Sequence, residues 1–196
     1  TFQESVIKES EEICFDISPE EIAKREDFRK TTTFTIDPET AKDFDDALSF
    51  KKLDNGLFEV GVHIADVGHY IKPGSALDRE AYKRSTSNYL VDRCIPMLPE
   101  RLSNGVCSLR PDEEKLVFSV IFKIEFSQPG QCKVVEQRFV KGVIKSGKRY
   151  SYEQAQEVIE KGHIDMCLPD KFDRAILTLD VMAKMIRAKR FQQGAI

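Results

Sequence analysis

The 196-residue chain has no tryptophan, only five cysteines and three histidines, and no long apolar run. The cysteines, at positions 14, 94, 107, 132 and 167, form no C-x-x-C pair and are odd in number. Their spacing argues against a disulfide framework or a zinc site and favours a reducing compartment. No segment reaches the length of a transmembrane helix, and the first residues lack the basic-then-apolar order of a signal peptide. These absences predict a cytoplasmic protein with no membrane partner.

The charge balance also excludes a simple class of protein. The net charge is −3, which argues against a small basic nucleic-acid-binding module. The charges are unevenly distributed: acids are in excess over residues 1–46, and bases are in excess over residues 133–196. A phosphate-binding face in the last third would favour RNA through counterion release, although a solvated mixed-charge surface gives the same count. No repeat, low-complexity segment or Gly/Ser linker divides the chain.

Local signals predict a single α+β domain, with a mixed or antiparallel sheet and helices packed on it. Two hairpins are expected, each with a turn signal between apolar runs, and they are followed by amphipathic helices rather than by regular strand–helix alternation. Ser18-Pro19 is typical of a helix start, and Ser151-x-x-Gln154 is a capping box. The predicted strands are residues 31–37, 47–52, 57–64, 116–126 and 133–144, and the predicted helices are residues 75–84, 151–161 and 171–193.

The segment from Thr35 to Ala47 is the most informative part of the chain. It reads T-I-D-P-x-x-A-K-D-x-D-D-A and contains four aspartates, listed here in order: Asp37, Asp43, Asp45 and Asp46. Carboxylates packed this closely repel one another unless cations neutralise them. Hard oxygen ligands on a loop between strands suit Mg²⁺ or Mn²⁺ holding a phosphate-bearing substrate. The alternative is an acidic turn that is simply solvated.

The spacing of the aspartates narrows the kind of site. In an extended chain alternate residues share a face, so Asp43 and Asp45 are expected to point together, Asp46 away from them, and Phe44 toward the core. An EF-hand is excluded, because its loop needs regular ligand alternation, a glycine at the sixth position and a glutamate at the twelfth. The remaining interpretation is a carboxylate cage for one or two ions of Mg²⁺, with Mn²⁺ as an alternative.

This acidic segment resembles the active-site segment of the ribonuclease II and ribonuclease R exoribonucleases. The resemblance continues, in the same order, in His63-Ile64-Ala65-Asp66-Val67, in Ser87-Asn88-Tyr89-Leu90 and in the run from Ile95 to Leu109. It is strong over residues 33–109 and looser over residues 116–196, and the bacterial ribonuclease R branch is the most similar. Three further blocks in order are much more specific than one acidic run.

The resemblance implies metal-dependent hydrolysis of single-stranded RNA from the 3′ end, with release of nucleoside 5′-monophosphates. Asp37, Asp43, Asp45 and Asp46 would bind the metal directly or through water, and Asp45 matches the position most important for catalysis. Two divalent ions roughly 4 Å apart would activate water and stabilise both the attacking and the leaving oxygen. Which aspartate binds which ion does not follow from the sequence.

Several other residues are candidates for RNA binding or catalysis. Tyr89 matches the family tyrosine that stacks on a base near the 3′ end, and the alternative is a core tyrosine with a satisfied hydroxyl. Asn104 and Ser108 are expected to contact RNA phosphates or hydroxyls. His63 with Asp66 is not expected to act as a general base, and Cys107 is not expected to act as a nucleophile.

The resemblance also implies a longer protein. The chain would comprise a helical lead-in, residues 1–30, and the N-terminal part of the catalytic domain, residues 31–196. Its expected partners are single-stranded RNA, the C-terminal half of the catalytic domain, and flanking cold-shock and S1-type barrels. Activity of this chain alone is therefore open. Two alternatives remain: a non-catalytic RNA-binding or scaffold fragment, and a metal-dependent hydrolase of small phosphate esters.

Overall fold

The computed structural model describes residues 1–127, 131–164 and 170–194. The turn predicted at residues 128–130, as well as Cys167, lies outside these ranges. The helices are α1 (Glu4–Glu12), α2 (Pro19–Ala23), α3 (Val67–Tyr70), α4 (Ala76–Arg84), α5 (Tyr152–Ile164) and α6 (Lys171–Gln192), with a π-helix over Arg101–Val106. The strands are β1 (Glu26–Asp27), β2 (Thr32–Asp37), β3 (Asp46–Lys52), β4 (Phe58–Ala65), β5 (Asn88–Tyr89), β6 (Cys94–Ile95), β7 (Glu114–Ser127), β8 (Gln131–Lys145) and β9 (Lys148–Ser151).

The two predicted hairpins form the centre of a seven-stranded sheet. The strand order is β1-β8-β7-β4-β3-β2-β9, and β5 with β6 forms a separate small ribbon. Neighbours from β2 to β8 pair antiparallel, whereas the two edge strands, β1 beside β8 and β9 beside β2, pair parallel. The sheet is therefore mixed and mostly antiparallel, which confirms the predicted α+β class.

Caps fix the helix boundaries that the sequence predicts. The Ser18 side chain accepts a hydrogen bond from the backbone N–H of Glu21, which starts α2 at Pro19. Ser151 and Gln154 form a reciprocal capping box, in which each side chain accepts from the other residue's backbone N–H. Such contacts satisfy backbone donors that have no partner inside the helix.

The sheet carries a core on each face. On one face α1, α4 and the π-helix pack through Val6, Leu77 and Leu102 against Val117 and Ile121 of β7. On the other face α5 and α6 pack through Ala155, Ala175 and Ile176 against Phe34 and Tyr150. The lead-in thus contributes directly to the first core, through Val6 and Phe28. No helix among the described residues is both long and apolar enough to cross a membrane.

Candidate active site

The acidic segment forms the connection between β2 and β3. Asp37 is the last residue of β2 and Asp46 is the first residue of β3, so both are fixed by strand pairing. Ser108 fixes the middle of the connection: its hydroxyl donates to the Lys42 carbonyl and accepts from the Phe44 N–H, both at 3.0 Å. Phe44 is buried in the first core, as predicted. The loop is consequently clamped at both ends and in the middle.

Arg149, on the edge strand β9, is a second clamp on the same loop. The parallel pairing of β9 with β2 places it opposite Thr35. Its guanidinium donates to the carbonyls of Pro38 and Glu39 at 2.9 and 2.6 Å and lies 5.0 Å from the centroid of the Phe44 ring. Sequence reasoning did not find Arg149, because its partners lie about 110 positions earlier in the chain. The only local signal was a short basic pair before Tyr150.

The carboxylates of Asp37, Asp43 and Asp45 line one cavity of about 610 Å³. Asp46 does not line this cavity, as the alternation predicted, so the four carboxylates that were expected to bind the metal do not all meet in it. Asp46 still acts on the site, since its charge raises the pKa of both Asp37 and Asp45. The other lining residues are Pro38, Thr40, Ala41, Lys42, Ser87, Tyr89, Arg93, Cys94, Pro96, Glu100, Ser103 and Asn104.

Two of the carboxyls have raised pKa values. Burial is the main cause for Asp37; the Thr35 hydroxyl and the charge of Arg149 oppose the rise in pKa, and the charges of Asp46 and Asp43 add to it. For Asp45 the main cause is again desolvation, and the charges of Asp43, Asp46 and Asp37 raise its pKa further. Because the carboxylates repel one another, a nearby cation would stabilise their charged forms.

The carboxylate oxygens of the cavity suit a hard cation that keeps part of its water shell better than a cation bound only by protein ligands. Asp37 is 8 % exposed, and its Oδ2 is buried without a hydrogen-bond partner among the described residues. All the charged donors are carboxylate oxygens, which Mg²⁺ prefers. Within the described part of the chain, however, no three His, Cys, Asp or Glu side chains are grouped so that they could hold a metal ion by themselves. Mg²⁺ normally keeps several waters and takes one or two carboxylates, and this arrangement suits that mode.

Tyr89 lies at the rim of the cavity on the small β5–β6 ribbon. It is 69 % exposed, and its hydroxyl donates to Asp43 Oδ2 at 2.9 Å. This hydrogen bond, with smaller contributions from desolvation and neighbouring charge, raises the pKa of Tyr89 to about 12. An exposed ring with a tethered hydroxyl is not the core tyrosine of the alternative interpretation. Its faces remain accessible to a stacking partner.

Asn104 and Ser108 have different surroundings. Asn104, in the π-helix, lines the cavity and is partly exposed, so it can contact a bound molecule. Ser108 has no exposed surface, and its hydroxyl is fully engaged with Lys42 and Phe44. A direct RNA contact by Ser108 does not fit this geometry, because the hydroxyl lies under the loop. We assign it to positioning the acidic segment.

His63, Asp66 and Cys107, which are not expected to act in catalysis, have structural surroundings. His63 is fully buried, and its two ring nitrogens contact the hydroxyls of Ser119 and Ser49 at 2.7 and 2.8 Å. Asp66 pairs with Arg25 at 2.8 Å rather than with His63. Burial raises the pKa of Cys107 to about 12, which leaves a thiol that is a poor nucleophile.

Comparisons with known proteins identify the family of the chain. The RNB domain family matches residues 25–196. The chain is 46% identical over 92% of its length to DIS3-like exonuclease 2 of Schizosaccharomyces pombe, and 45% identical over its whole length to ribonuclease R of Thermotoga maritima. It spans only 20% and 27% of those two relatives. The bacterial and the DIS3-like branches thus match about equally.

Solved structures give the same result. Mycoplasma genitalium RNase R in complex with double-stranded RNA superposes with a TM-score of 0.83 at 30% identity, covering the whole of this chain and 34% of that one. Yeast Ssd1, described as a pseudonuclease, has the same fold at 24% identity, with a TM-score of 0.77 over 90% of this chain. The chain therefore belongs to the RNB domain family, whose named relatives include ribonuclease R and the DIS3-like exonucleases.

Proposed function

We propose that this chain carries the acidic site of a metal-dependent 3′-to-5′ exoribonuclease that hydrolyses single-stranded RNA to nucleoside 5′-monophosphates. The observation that carries the proposal is the buried, unpartnered Oδ2 of Asp37 in a cavity shared with Asp43 and Asp45. A buried carboxylate oxygen without a partner costs free energy unless a ligand satisfies it. In a chain whose relatives are named ribonucleases, one or two ions of Mg²⁺, or of Mn²⁺, are the natural ligand.

Each residue of the site has a separate proposed role. Asp37, Asp43 and Asp45 would hold the metal, mostly through its water shell, and Asp46, which does not line the cavity, would add its negative charge to the site. When bound, the metal would activate a water molecule for attack and neutralise charge at the phosphate. The clamps at Ser108 and Arg149 keep the carboxylates in place, because they fix the backbone on either side of Lys42. Tyr89 offers a ring face to an RNA base near the 3′ end, and Asn104 contacts the sugar–phosphate backbone of the RNA.

A bare apolar area on the sheet supports the expected larger assembly. Ile64 of β4 lies opposite Phe118 of β7, and Phe139 of β8 lies opposite Val120 on the same face. Ile64, Phe118 and Phe139 are 48, 47 and 64 % exposed. We call this area the bare sheet face. Clustered apolar surface of this kind marks an interaction site, and the relatives' additional sequence is the proposed occupant.

The two alternatives make different predictions. A hydrolase of small phosphate esters is expected to enclose its substrate, whereas here Tyr89 and Asp45 are exposed at the cavity. A non-catalytic module is favoured by the lack of a three-ligand metal group in the described residues and by the fold shared with Ssd1. The raised pKa values of Asp37 and Asp45, to which the charges of the neighbouring aspartates contribute, favour the enzyme instead.

A chimera provides the test. The chain replaces the matching segment of Thermotoga maritima ribonuclease R, to which it aligns over its full length. End-labelled poly(A) is then incubated with Mg²⁺ or with a chelator. The proposal predicts Mg²⁺-dependent release of mononucleotides. Binding without turnover would identify the scaffold alternative, and turnover of mononucleotide esters alone would identify the small-ester hydrolase.

Asp45→Asn in the same chimera tests the site itself. The substitution keeps the shape of the side chain and removes one charge that faces the metal. Turnover is expected to fall below a few per cent, with RNA affinity unchanged or higher because one negative charge near the phosphate is lost. Asp54→Asn, an exposed residue in the β3–β4 turn, is the matched control and should keep full activity. Activity retained by Asp45→Asn would contradict its proposed role.

A further inference from the structure

A second charged cleft lies at the other end of the strands that carry the acidic site. Its cavity of about 720 Å³ is lined by the start of β2, the end of β3 and the start of β4, together with the first turns of α6. We call it the distal cleft. Strand β2 runs from Thr32 in this cleft to Asp37 in the acidic cavity. At about 3.3 Å per residue the two sites are roughly 16 Å apart, so the distal cleft is not part of the acidic site.

The distal cleft is basic although the chain as a whole is acidic. Lys30, Lys51, Lys52 and Lys171 line it, all four are exposed, and none forms an ion pair within the part of the chain that the structure describes. The one acidic lining residue, Asp27, is neutralised by Arg29 at 2.7 Å. Unpaired like charges in a concave surface repel one another and concentrate anions.

Aromatic rings form the floor between these lysines. Phe50 and Phe58 stack with centroids 5.5 Å apart and an interplanar angle of 28°, and Phe126 meets Phe58 edge-on at 5.8 Å. The inner sides of the rings pack on the core around Met182. All three remain partly exposed to the cleft. Lysines around accessible aromatic surface are the combination that binds single strands, with phosphates on the cations and bases on the rings.

We propose that the distal cleft is a second binding site for single-stranded RNA, separate from the acidic site. The lysines hold the sugar–phosphate backbone, and a base contacts the Phe50–Phe58 surface. The choice of RNA as the ligand rests on the proposed function. A single strand is favoured over a duplex because bases inside a duplex cannot reach the rings. RNA held here would stay bound to the protein while its 3′ end lies at the acidic site.

Binding measured without hydrolysis tests this proposal. Fluorescence anisotropy with labelled oligo(A) of roughly 16 nucleotides, the upper site size of a single-strand-binding fold, is recorded in chelator over a range of salt concentrations. The double variant Lys51→Gln/Lys52→Gln is expected to bind more weakly and to flatten the slope of log K against log[salt] by about 1.4, since each lost phosphate contact contributes about 0.7. The control Lys8→Gln/Lys83→Gln changes the charge equally, on exposed residues of α1 and α4, and should leave the slope unchanged.

A second variant separates stacking from charge. Phe58→Leu keeps apolar packing and removes the ring, so affinity is expected to fall roughly fivefold or more with the salt slope unchanged. Phe139→Leu, an exposed ring on the bare sheet face, is its control. The proposal would be overturned if the two pairs of lysine substitutions had equal effects. It would also be overturned if the unmodified chain did not bind RNA.

A hydrolysis assay beside the binding measurement distinguishes this inference from the proposed function. Hydrolysis of an oligonucleotide of roughly four nucleotides, the lower site size, needs the acidic site and not the distal cleft. If the chimera binds RNA through the cleft but hydrolyses nothing, the proposed function fails and the distal cleft stands. If Lys51→Gln/Lys52→Gln leaves long-RNA binding intact while hydrolysis proceeds, the distal cleft fails and the proposed function stands.

Discussion

At the scale of single residues, Tyr89 gives a clear separation between binding and chemistry. In the chimera, Tyr89→Ala should leave hydrolysis of long RNA largely intact, because the carboxylates remain in place. Loss of one stacked base weakens the grip on the last nucleotides by about 1–3 kcal/mol. The enzyme should therefore release a longer final fragment, measured on an end-labelled oligonucleotide.

Tyr89→Phe is the matched control, since it keeps the ring and removes only the hydrogen bond to Asp43. We expect its end product to have the normal length. A normal end product from Tyr89→Ala would instead assign the ring no role in RNA binding. A long end product from both variants would show that the hydroxyl contact with Asp43, and not the ring, sets the fragment length.

His63 makes a pH-dependent contribution to stability. Burial lowers its pKa from 6.5 to about 4. Above pH 6.5 the imidazole is neutral in the folded and unfolded states. Between pH 6.5 and about 4 the unfolded chain binds a proton that the folded chain does not. The free energy of unfolding should therefore fall by about 1.4 kcal/mol for each unit by which the pH is lowered.

The comparison with His63→Gln isolates this effect. Glutamine can still hydrogen-bond to Ser49 and Ser119 but does not titrate. Asp37 and Asp45, whose raised pKa values oppose the trend, are present in both proteins and cancel in the difference. Urea denaturation at several pH values measures it. Parallel stability curves for the two proteins would show that His63 does not titrate as its burial requires.

At the scale of elements, the β3–β4–β7 ladder depends on a glycine beside this buried histidine. A Cβ atom at Gly61 would contact the Ser49 hydroxyl and would lie 2.6 Å from His63 Nε2. Gly61→Ala should therefore break the Ser49–His63 hydrogen bond and destabilise the fold by about 1–3 kcal/mol. Denaturant unfolding provides the measurement.

Gly68→Ala is the matched control for this prediction. Its Cβ would have no neighbour closer than Asp66 Oδ1 at 3.9 Å, and it lies in the helix α3. Because alanine favours helix over glycine, this variant should be unchanged or slightly more stable, by up to about 1 kcal/mol. Equal losses for the two variants would remove the close approach at Gly61 as the cause.

The elements also show what sequence reasoning reaches and what it misses. The hairpin of β3 and β4 and the capped helices α2 and α5 were predicted correctly, because their signals lie within a few adjacent residues. Strand β9 was missed: it is four residues long, and it is a strand only because β2, over a hundred positions earlier, pairs with it. The π-helix was missed as well, since no local residue pattern distinguishes it.

The candidate site divides in the same way. The acidic spacing predicted that Asp43 and Asp45 share a cavity, that Phe44 is buried and that Asp46 points elsewhere. Arg149 and the role of Ser108 under the loop depend on tertiary contacts, and the sequence offered no signal for either. The identities of the metal and of its direct ligands stay predictions.

At the scale of the whole molecule, the bare sheet face predicts opposite outcomes for one substitution in two contexts. In the isolated chain Phe139 is 64 % exposed, so Phe139→Lys should leave stability unchanged and reduce self-association. In the chimera, where the additional sequence is proposed to cover this face, the same change buries a charge and should destabilise by several kcal/mol.

Tyr82→Lys, in α4, is the control, because its ring is 87 % exposed and lies outside the bare sheet face. It should be tolerated in both contexts. Urea unfolding and sedimentation of all four proteins measure the effects. If Phe139→Lys were tolerated equally in chain and chimera, the additional sequence would not pack on this face. The isolated chain is also expected to fold yet degrade RNA poorly, since it lacks the additional sequence that is proposed to complete the site around Asp37. Full turnover by the isolated chain would show that its four aspartates and Tyr89 are sufficient on their own.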